Sequence, residues 1–340
     1  MRKILTKYLL IWLTLFCILS FFWDRIPGTD RLIDPFDLKG SSMKMLISAA
    51  MLVIGSLLPL DEVKMVVKRW PLILGGTFIQ FTSMPLLAFC AAKIFHIEDP
   101  YYTGLILAGA VPGAMASNLL TMLAGGNTSY SVGLTTSATL FSPLTIPLLL
   151  RLLLGKGISP EVAPMMLDLL LTVVLPVLVG FTLSRLFAFW NRCAQLIGEV
   201  VGNVVIIWII SAVVAVNRGG FGVNVLFLIP PLLFLNLGGY SAGTLGGKLI
   251  GLDSRMRRAL LLEIGMQNAG LGATIARNYF EDKPGAALCC ALYTFGCMFT
   301  GILVAQSFRL ADYRQTKQTD AGGENPDAPD SDTDKAASDA

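Results

Sequence analysis

Ten apolar stretches, each close to the roughly 20 residues that a helix needs to cross a bilayer, follow one another along this 340-residue chain. They run approximately from Tyr8 to Trp23, Met43 to Leu60, Trp70 to Phe95, Tyr101 to Leu123, Ser129 to Leu154, Pro164 to Phe189, Leu196 to Val216, Val223 to Ile250, Ala259 to Tyr279 and Gly285 to Leu310, with charged or Gly/Pro-rich breaks between them. Hydrophobic residues make up 54% and charged residues 14%, where soluble domains carry about 25% charged. A water-soluble globule is excluded, and an all-α polytopic membrane protein is expected. Tyr8 to Trp23 resembles the apolar part of a signal peptide, but Asp24 and Arg25 follow it instead of a small-residue cleavage site, so it is read as the first span.

An even number of spans puts both termini on one side. Lys and Arg are more numerous on the side of the N-terminus, most densely at Lys248, Arg255, Arg257 and Arg258, while Arg25, Arg31, Lys39 and Lys44 in the first opposite loop oppose that bias. Both termini are therefore expected in the cytoplasm, in a bacterial-type inner (plasma) membrane. The segment from Asp312 to Ala340 is polar and acidic, with too few large apolar residues to offset ordering entropy, and is expected to be a disordered tail. A net charge of +3 without basic runs excludes a nucleic-acid partner. Cys17, Cys90, Cys193, Cys289, Cys290 and Cys297 never take C-x-x-C spacing and read as buried or lipid-facing thiols. The single histidine, His96, reads as a loop residue. Asn127-Thr128-Ser129 matches a glycosylation sequon by letters, but it falls in an expected cytoplasmic turn.

Polar groups inside spans mark function by default. Gly109 to Asn118, GAVPGAMASN, places Pro112 and Gly113 mid-span, where the missing donor and the loose backbone should interrupt the helix. Glu263 to Gly272, EIGMQNAGLG, places a carboxylate, two amides and three glycines inside the ninth span. Irregular backbone at membrane depth is tolerated only inside protein or beside a cavity. Asn118 and Asn268 lie half the apolar chain apart, each in the penultimate span of a block of five. Five is odd, so residues 1–154 and 155–311 would have opposite topologies, the pattern of an inverted repeat whose broken helices meet at a midplane site.

A carboxylate in hydrocarbon needs compensation, and no Lys or Arg lies inside the neighbouring spans. A cation or a proton must supply it. Neutral oxygens stand at suitable positions: Ser117 and Asn118 after the first break, Ser131 and Thr135 on one face of the fifth span, Gln80 in the third, Gln267 in the ninth, and free carbonyls near Ile264 and Met266. One carboxylate among neutral oxygens suits a monovalent ion better than calcium. Taken singly, Ser131 and Thr135 read as helix-to-helix hydrogen bonds; it is the set, anchored by Glu263, that reads as a site.

At MASN, Met115 to Asn118, and EIGMQNAG, Glu263 to Gly270, the sequence resembles the bile acid:sodium symporter family, including bacterial members of the pantoate/ketopantoate type. The similarity extends from the second span to about Leu310. It implies ten helices in a five-plus-five inverted repeat, a panel of spans one, two, six and seven, a core of the rest, and crossed discontinuous helices four and nine. It implies one sodium site at Ser117, Asn118, Ser131, Thr135 and Glu263, a second at Gln80, Glu263, Ile264, Met266 and Gln267, and an organic anion beside Met115, Ala116 and Asn268. Ala114 and Met115 stand where those relatives have glycine and threonine, and Gly296, Cys297 and Met298 replace a Trp-His-Asn stretch. The changes touch the expected substrate cavity and leave the ion ligands alone. The expected function is sodium-coupled symport of a bile-acid-like or pantoate-like anion, with a proton-coupled carrier on the same fold as the alternative. Implied partners are sodium, the anion and the bilayer, with no cofactor, nucleic acid or obligatory protein partner. An enzyme is disfavoured because no nucleophile, metal cluster or acid/base pair is found, and a channel because a shared carboxylate would trap ions.

Overall fold

The computed structural model describes residues 9–26, 34–38, 40–60, 64, 68–218 and 223–322. Tyr8, Arg31, Lys39 and residues 323–340, on which the first span's start and the orientation and tail expectations draw, lie outside the described residues. Among the described residues twelve helices carry the fold: α1 (Leu9–Phe22), α2 (Gly40–Leu57), α3 (Trp70–Ile94), α4 (Tyr101–Ala110), α5 (Ala116–Leu123), α6 (Thr128–Leu154), α7 (Val162–Leu186), α8 (Ala188–Val216), α9 (Val223–Leu249), α10 (Ser254–Gly265), α11 (Ala269–Tyr279) and α12 (Pro284–Gly322). Helix α7 passes through one π turn at Leu170–Val174.

Five of them, α3, α6, α7, α9 and α12, are long and apolar enough to cross a membrane alone, and α8 is a sixth if its two bent parts count as one span. With these apolar helices the protein is an integral membrane protein. Ten spans cannot be counted from helix length, because α4 with α5 and α10 with α11 are half-length pieces divided by breaks. Two boundaries differ from expectation. Helix α8 begins at Ala188 instead of Leu196: Trp190 Nε1 donates to Ser56 Oγ at 3.0 Å and Asn191 Oδ1 accepts from Ser184 at 3.0 Å, so polar residues that resemble a loop are satisfied within a helix. Helix α12 runs past Asp312 to Gly322, with Asp312 held by Arg258 through two bonds of 2.5 and 2.7 Å.

Local chemistry sets the helix starts. Asn127, Asp253 and Asn268 each accept a backbone N–H three residues on, at 2.9, 2.8 and 3.2 Å, and so cap α6, α10 and α11. Helices α1, α2, α7 and α8 pack chiefly against one another, while α3, α4, α9, α10, α11 and α12 form a second group that also holds α5 and α6. Tyr279 of α11 reaches across to the first group, its hydroxyl donating at 2.8 Å to Asp168, which pairs with Lys44 at 2.9 Å.

Glycines let α2 and α7 touch backbone to backbone. A Cβ on Gly180 would strike the Leu52 carbonyl, and one on Gly55 the Val177 carbonyl. Gly180→Ala is expected to destabilise the protein by about 1–3 kcal/mol through overpacking. Thermal unfolding in detergent checks this against Gly202→Ala, whose added methyl meets nothing within 4 Å; equal melting temperatures for the two would reject the tight crossing.

Candidate functional site

Helix α4 stops where Pro112 has no N–H to continue the ladder, and α10 stops at Gly265. The two breaks repair each other. Ala114 N donates to Met266 O and Asn268 N to Pro112 O, both at 2.7 Å, making a one-residue antiparallel bridge between Gly113 and Gln267. Backbone groups orphaned by the breaks are thus paired without water, as membrane depth requires.

Glu263, in the last turn of α10, has 0% exposure. Ser117 Oγ donates to its Oε2 at 2.5 Å, and Thr135 Oγ1 lies 2.8 Å from both carboxylate oxygens. Among the described residues no cationic side chain pairs with it. Hydrogen bonds to a charged group contribute about 1.5–3 kcal/mol each, while burying a carboxylate costs several kcal/mol even after relaxation. Two such bonds are of the same order as that penalty but leave the charge itself unneutralised, which a cation or a proton would do. Thr135 Oγ1 also lies 3.4 Å from Asn118 Oδ1, and Ser131 Oγ accepts from Thr121 at 3.3 Å. Of the five residues expected in the first sodium site, Ser117, Asn118, Thr135 and Glu263 are linked by these bonds from α5, α6 and α10, whereas Ser131 reaches them through its backbone carbonyl, which accepts from Thr135 Oγ1 at 3.1 Å.

Of the second set, Gln80, Gln267 and Ile264 are joined by hydrogen bonds. Gln80 Nε2 of α3 approaches Gln267 Oε1 at 3.4 Å, and Gln267 Nε2 donates to the Ile264 carbonyl at 2.7 Å. The Gln80 Oε1 atom is buried without a partner. An unpaired buried acceptor costs about 1–3 kcal/mol, a penalty that a cation beside it would remove.

Of the three residues expected at the substrate, Met115 lines a cavity of about 80 Å³. Asn118, Thr135 and Thr139 form its polar edge, and Ile54, Leu58 and Val177 of the first helix group its opposite wall. The cavity thus touches the carboxylate's own ligand, Thr135. Ala116 and Asn268 are half-buried beside the break and are not among its lining residues; Asn268 instead uses its side chain to cap α11. The substituted Ala114 takes part through its backbone N–H, which any residue but proline supplies.

Residues 44–222 match the model of the Sodium Bile acid symporter family. The chain is 30% identical over 296 residues to a Bacillus subtilis (strain 168) protein called uncharacterized sodium-dependent transporter YocS, covering 87% of this chain and 88% of that one. The chain belongs to the sodium bile acid symporter family. Further members that it resembles are the probable sodium/metabolite cotransporter BASS1, chloroplastic, of Arabidopsis thaliana, 28% identical over 90% of this chain and 74% of the relative, and the human ileal sodium/bile acid cotransporter, 26% identical over 69% and 66%. The family consists of sodium-dependent transporters, not enzymes, as expected from the residues.

In this symporter-family member the sequence reading passed over two features of the site. Gly113 is not merely a kink: a Cβ there would land on the Glu263 carboxylate. Asn236 and Tyr293, both buried, donate to the Gly265 carbonyl at 2.8 Å each. Asn236 sits in the apolar stretch of the eighth span, so the rule for intramembrane polar residues could have flagged it.

Proposed function

We propose that the protein is a secondary active transporter that couples the inward movement of an organic anion to two sodium ions. The observation that carries the reading is the fully buried Glu263, held by two hydroxyls and, among the described residues, by no cationic side chain. One ion would sit among Ser117, Asn118, Ser131, Thr135 and Glu263, the other among Gln80, Glu263, Gln267 and the carbonyls of Ile264 and Met266. Each neutralises the shared carboxylate and ties the two breaks to α3 or α6. Residues 1–154 and 155–311 would be inverted repeats giving ten spans, with α1, α2, α7 and α8 as the panel and the remaining helices as the core. Both termini would be cytoplasmic in a bacterial inner membrane.

The anion would enter the cavity at Met115, between the two helix groups, where the N-terminus of α5 favours negative charge. That cavity, about 80 Å³, is below the roughly 300–1,000 Å³ of sites that enclose drug-sized ligands. Admitting either a bile-acid-like or a pantoate-like anion therefore needs the two helix groups to part, and relatives are named for both bile acids and metabolites. Separation of core from panel on one side and closure on the other would carry the anion across.

Purified protein in detergent is expected to melt at higher temperature in sodium than in equal potassium or choline. At a hundred times Kd the gain is about 2.7 kcal/mol, a few degrees in a protein of this size. Labelled pantoate and taurocholate in proteoliposomes then serve as transport probes. A melting temperature and uptake that follow pH but not sodium would reassign Glu263 to a proton carrier on the same fold.

A further inference from the structure

The break after α10 frees consecutive carbonyls that a continuous helix would have paired, and the protein treats three of them differently. Ile264 O accepts one donor, Gln267 Nε2, at 2.7 Å. Met266 O accepts one donor, Ala114 N, at 2.7 Å. Gly265 O, between them, accepts two: Asn236 Nδ2 from α9 and Tyr293 Oη from α12, each at 2.8 Å. A carbonyl oxygen has two lone pairs. That of Gly265 is therefore fully engaged toward α9 and α12 and closed to a cation, while each neighbour keeps one lone pair.

The two donors are themselves held. Gly265 O can only accept, so the Asn236 amide must turn its Nδ2 toward it; Thr300 Oγ1 then donates to Asn236 Oδ1 at 2.7 Å, and Tyr240 Oη lies 3.0 Å from the Thr300 hydroxyl. A relay of Tyr240, Thr300 and Asn236 thus ends on Gly265 O, with Tyr293 arriving independently. Close approach makes it possible. A Cβ on Gly265 would strike the Tyr240 ring, and one on Gly239 would come within 3.1 Å of Gly265 Cα. Asn236 is 2% and Tyr293 1% exposed, so water does not compete for these bonds.

We propose that Asn236 and Tyr293 are positioning residues for the second cation site. By tying down Gly265 O they fix the peptide planes on either side of it, so that the Ile264 and Met266 carbonyls stay available beside Gln80 and Gln267. The proposal rests on the sodium reading given above and adds to it a link between the ion and the packing of α9 and α12. Removing supports of this kind behind a metal ligand costs about 10–100-fold in affinity.

The test is a sodium chloride titration of melting temperature for wild type, Tyr293→Phe, Asn236→Ala and Thr300→Val, each with a potassium baseline. Tyr293→Phe keeps the ring and loses one donor; it is expected to raise half-saturating sodium about 10-fold and flatten the titration toward a single site, with only a small change in potassium. Asn236→Ala should shift it at least as far, and Thr300→Val less. A merely structural role would instead lower the potassium baseline and leave half-saturating sodium where it was. That result in Tyr293→Phe, which decides alone if Asn236→Ala fails to fold, would overturn the proposal while wild type still responded to sodium. A wild type indifferent to sodium would overturn the coupling-ion reading and this proposal with it.

Discussion

Glu263→Gln is expected to abolish sodium-specific stabilisation and sodium-driven uptake, while the protein inserts and melts in potassium at or above the wild-type temperature. The side chain keeps its shape and loses its charge. In wild type without sodium, the folded state bears a buried carboxylate compensated, among the described residues, by Ser117 and Thr135. Replacing a buried charge by a neutral group of similar volume is often neutral or stabilising, and the amide can still exchange hydrogen bonds with both hydroxyls, which accept as well as donate. In sodium the sign reverses, because both proposed ion sites share this carboxylate. Loss of at least 100-fold in sodium affinity corresponds to about 2.8 kcal/mol. The opposite signs separate a ligand from a structural residue. A variant that melts lower in both salts yet keeps the wild-type sodium increment would remove Glu263 from the ion sites.

How much of this was legible beforehand follows from where the chemistry is local. Pro112, Gly113 and the cluster from Glu263 to Gly270 are polar or helix-breaking groups in apolar surroundings, so their presence alone marked both breaks and most of the oxygen set. Their mutual repair was not legible as a contact. The bridge from Gly113 to Gln267 joins groups 154 residues apart, and nothing in either segment states which carbonyl receives which N–H. Gly113 shows the limit at a single residue. From sequence it is a flexible point in a helix, whereas the folded chain needs it for the absence of a Cβ beside Glu263. Likewise α8 begins early because Trp190 and Asn191 find polar partners on α2 and α7, which composition cannot anticipate. The polar residues after Leu310 stay helical to Gly322, where composition suggests that order ends near Asp312; Asp312 is anchored by Arg258, from the basic cluster whose sequence signal is one of orientation.

Gly113→Ala provides the second large effect, and its logic is steric. The added methyl would fall on Oε1 and Cδ of Glu263, with the carboxylate already held by Ser117 on one oxygen and Thr135 on both. Either the carboxylate swings away from those hydroxyls, or the Gly113 segment retreats and loosens the bonds from Ala114 to Met266 and from Asn268 to Pro112. The first course dismantles one ion site and the second disturbs the carbonyls of the other. Half-saturating sodium is therefore expected to rise by about 100-fold, the upper end for disturbed metal-ligand support, with uptake falling in step at ordinary sodium concentrations. Gly270→Ala is the control from the partner break. Its methyl would meet only Asn268 Oδ1 at 3.7 Å, an ordinary contact, and it lies inside α11, where alanine is favoured over glycine by up to about 1 kcal/mol. Wild-type sodium affinity and an equal or higher melting temperature are expected for that variant. Equal losses in the two would mean that the breaks need glycine for backbone freedom alone. Unchanged sodium affinity in Gly113→Ala would mean that the carboxylate is not confined against the bridge, and the shared-ligand arrangement would fall with it.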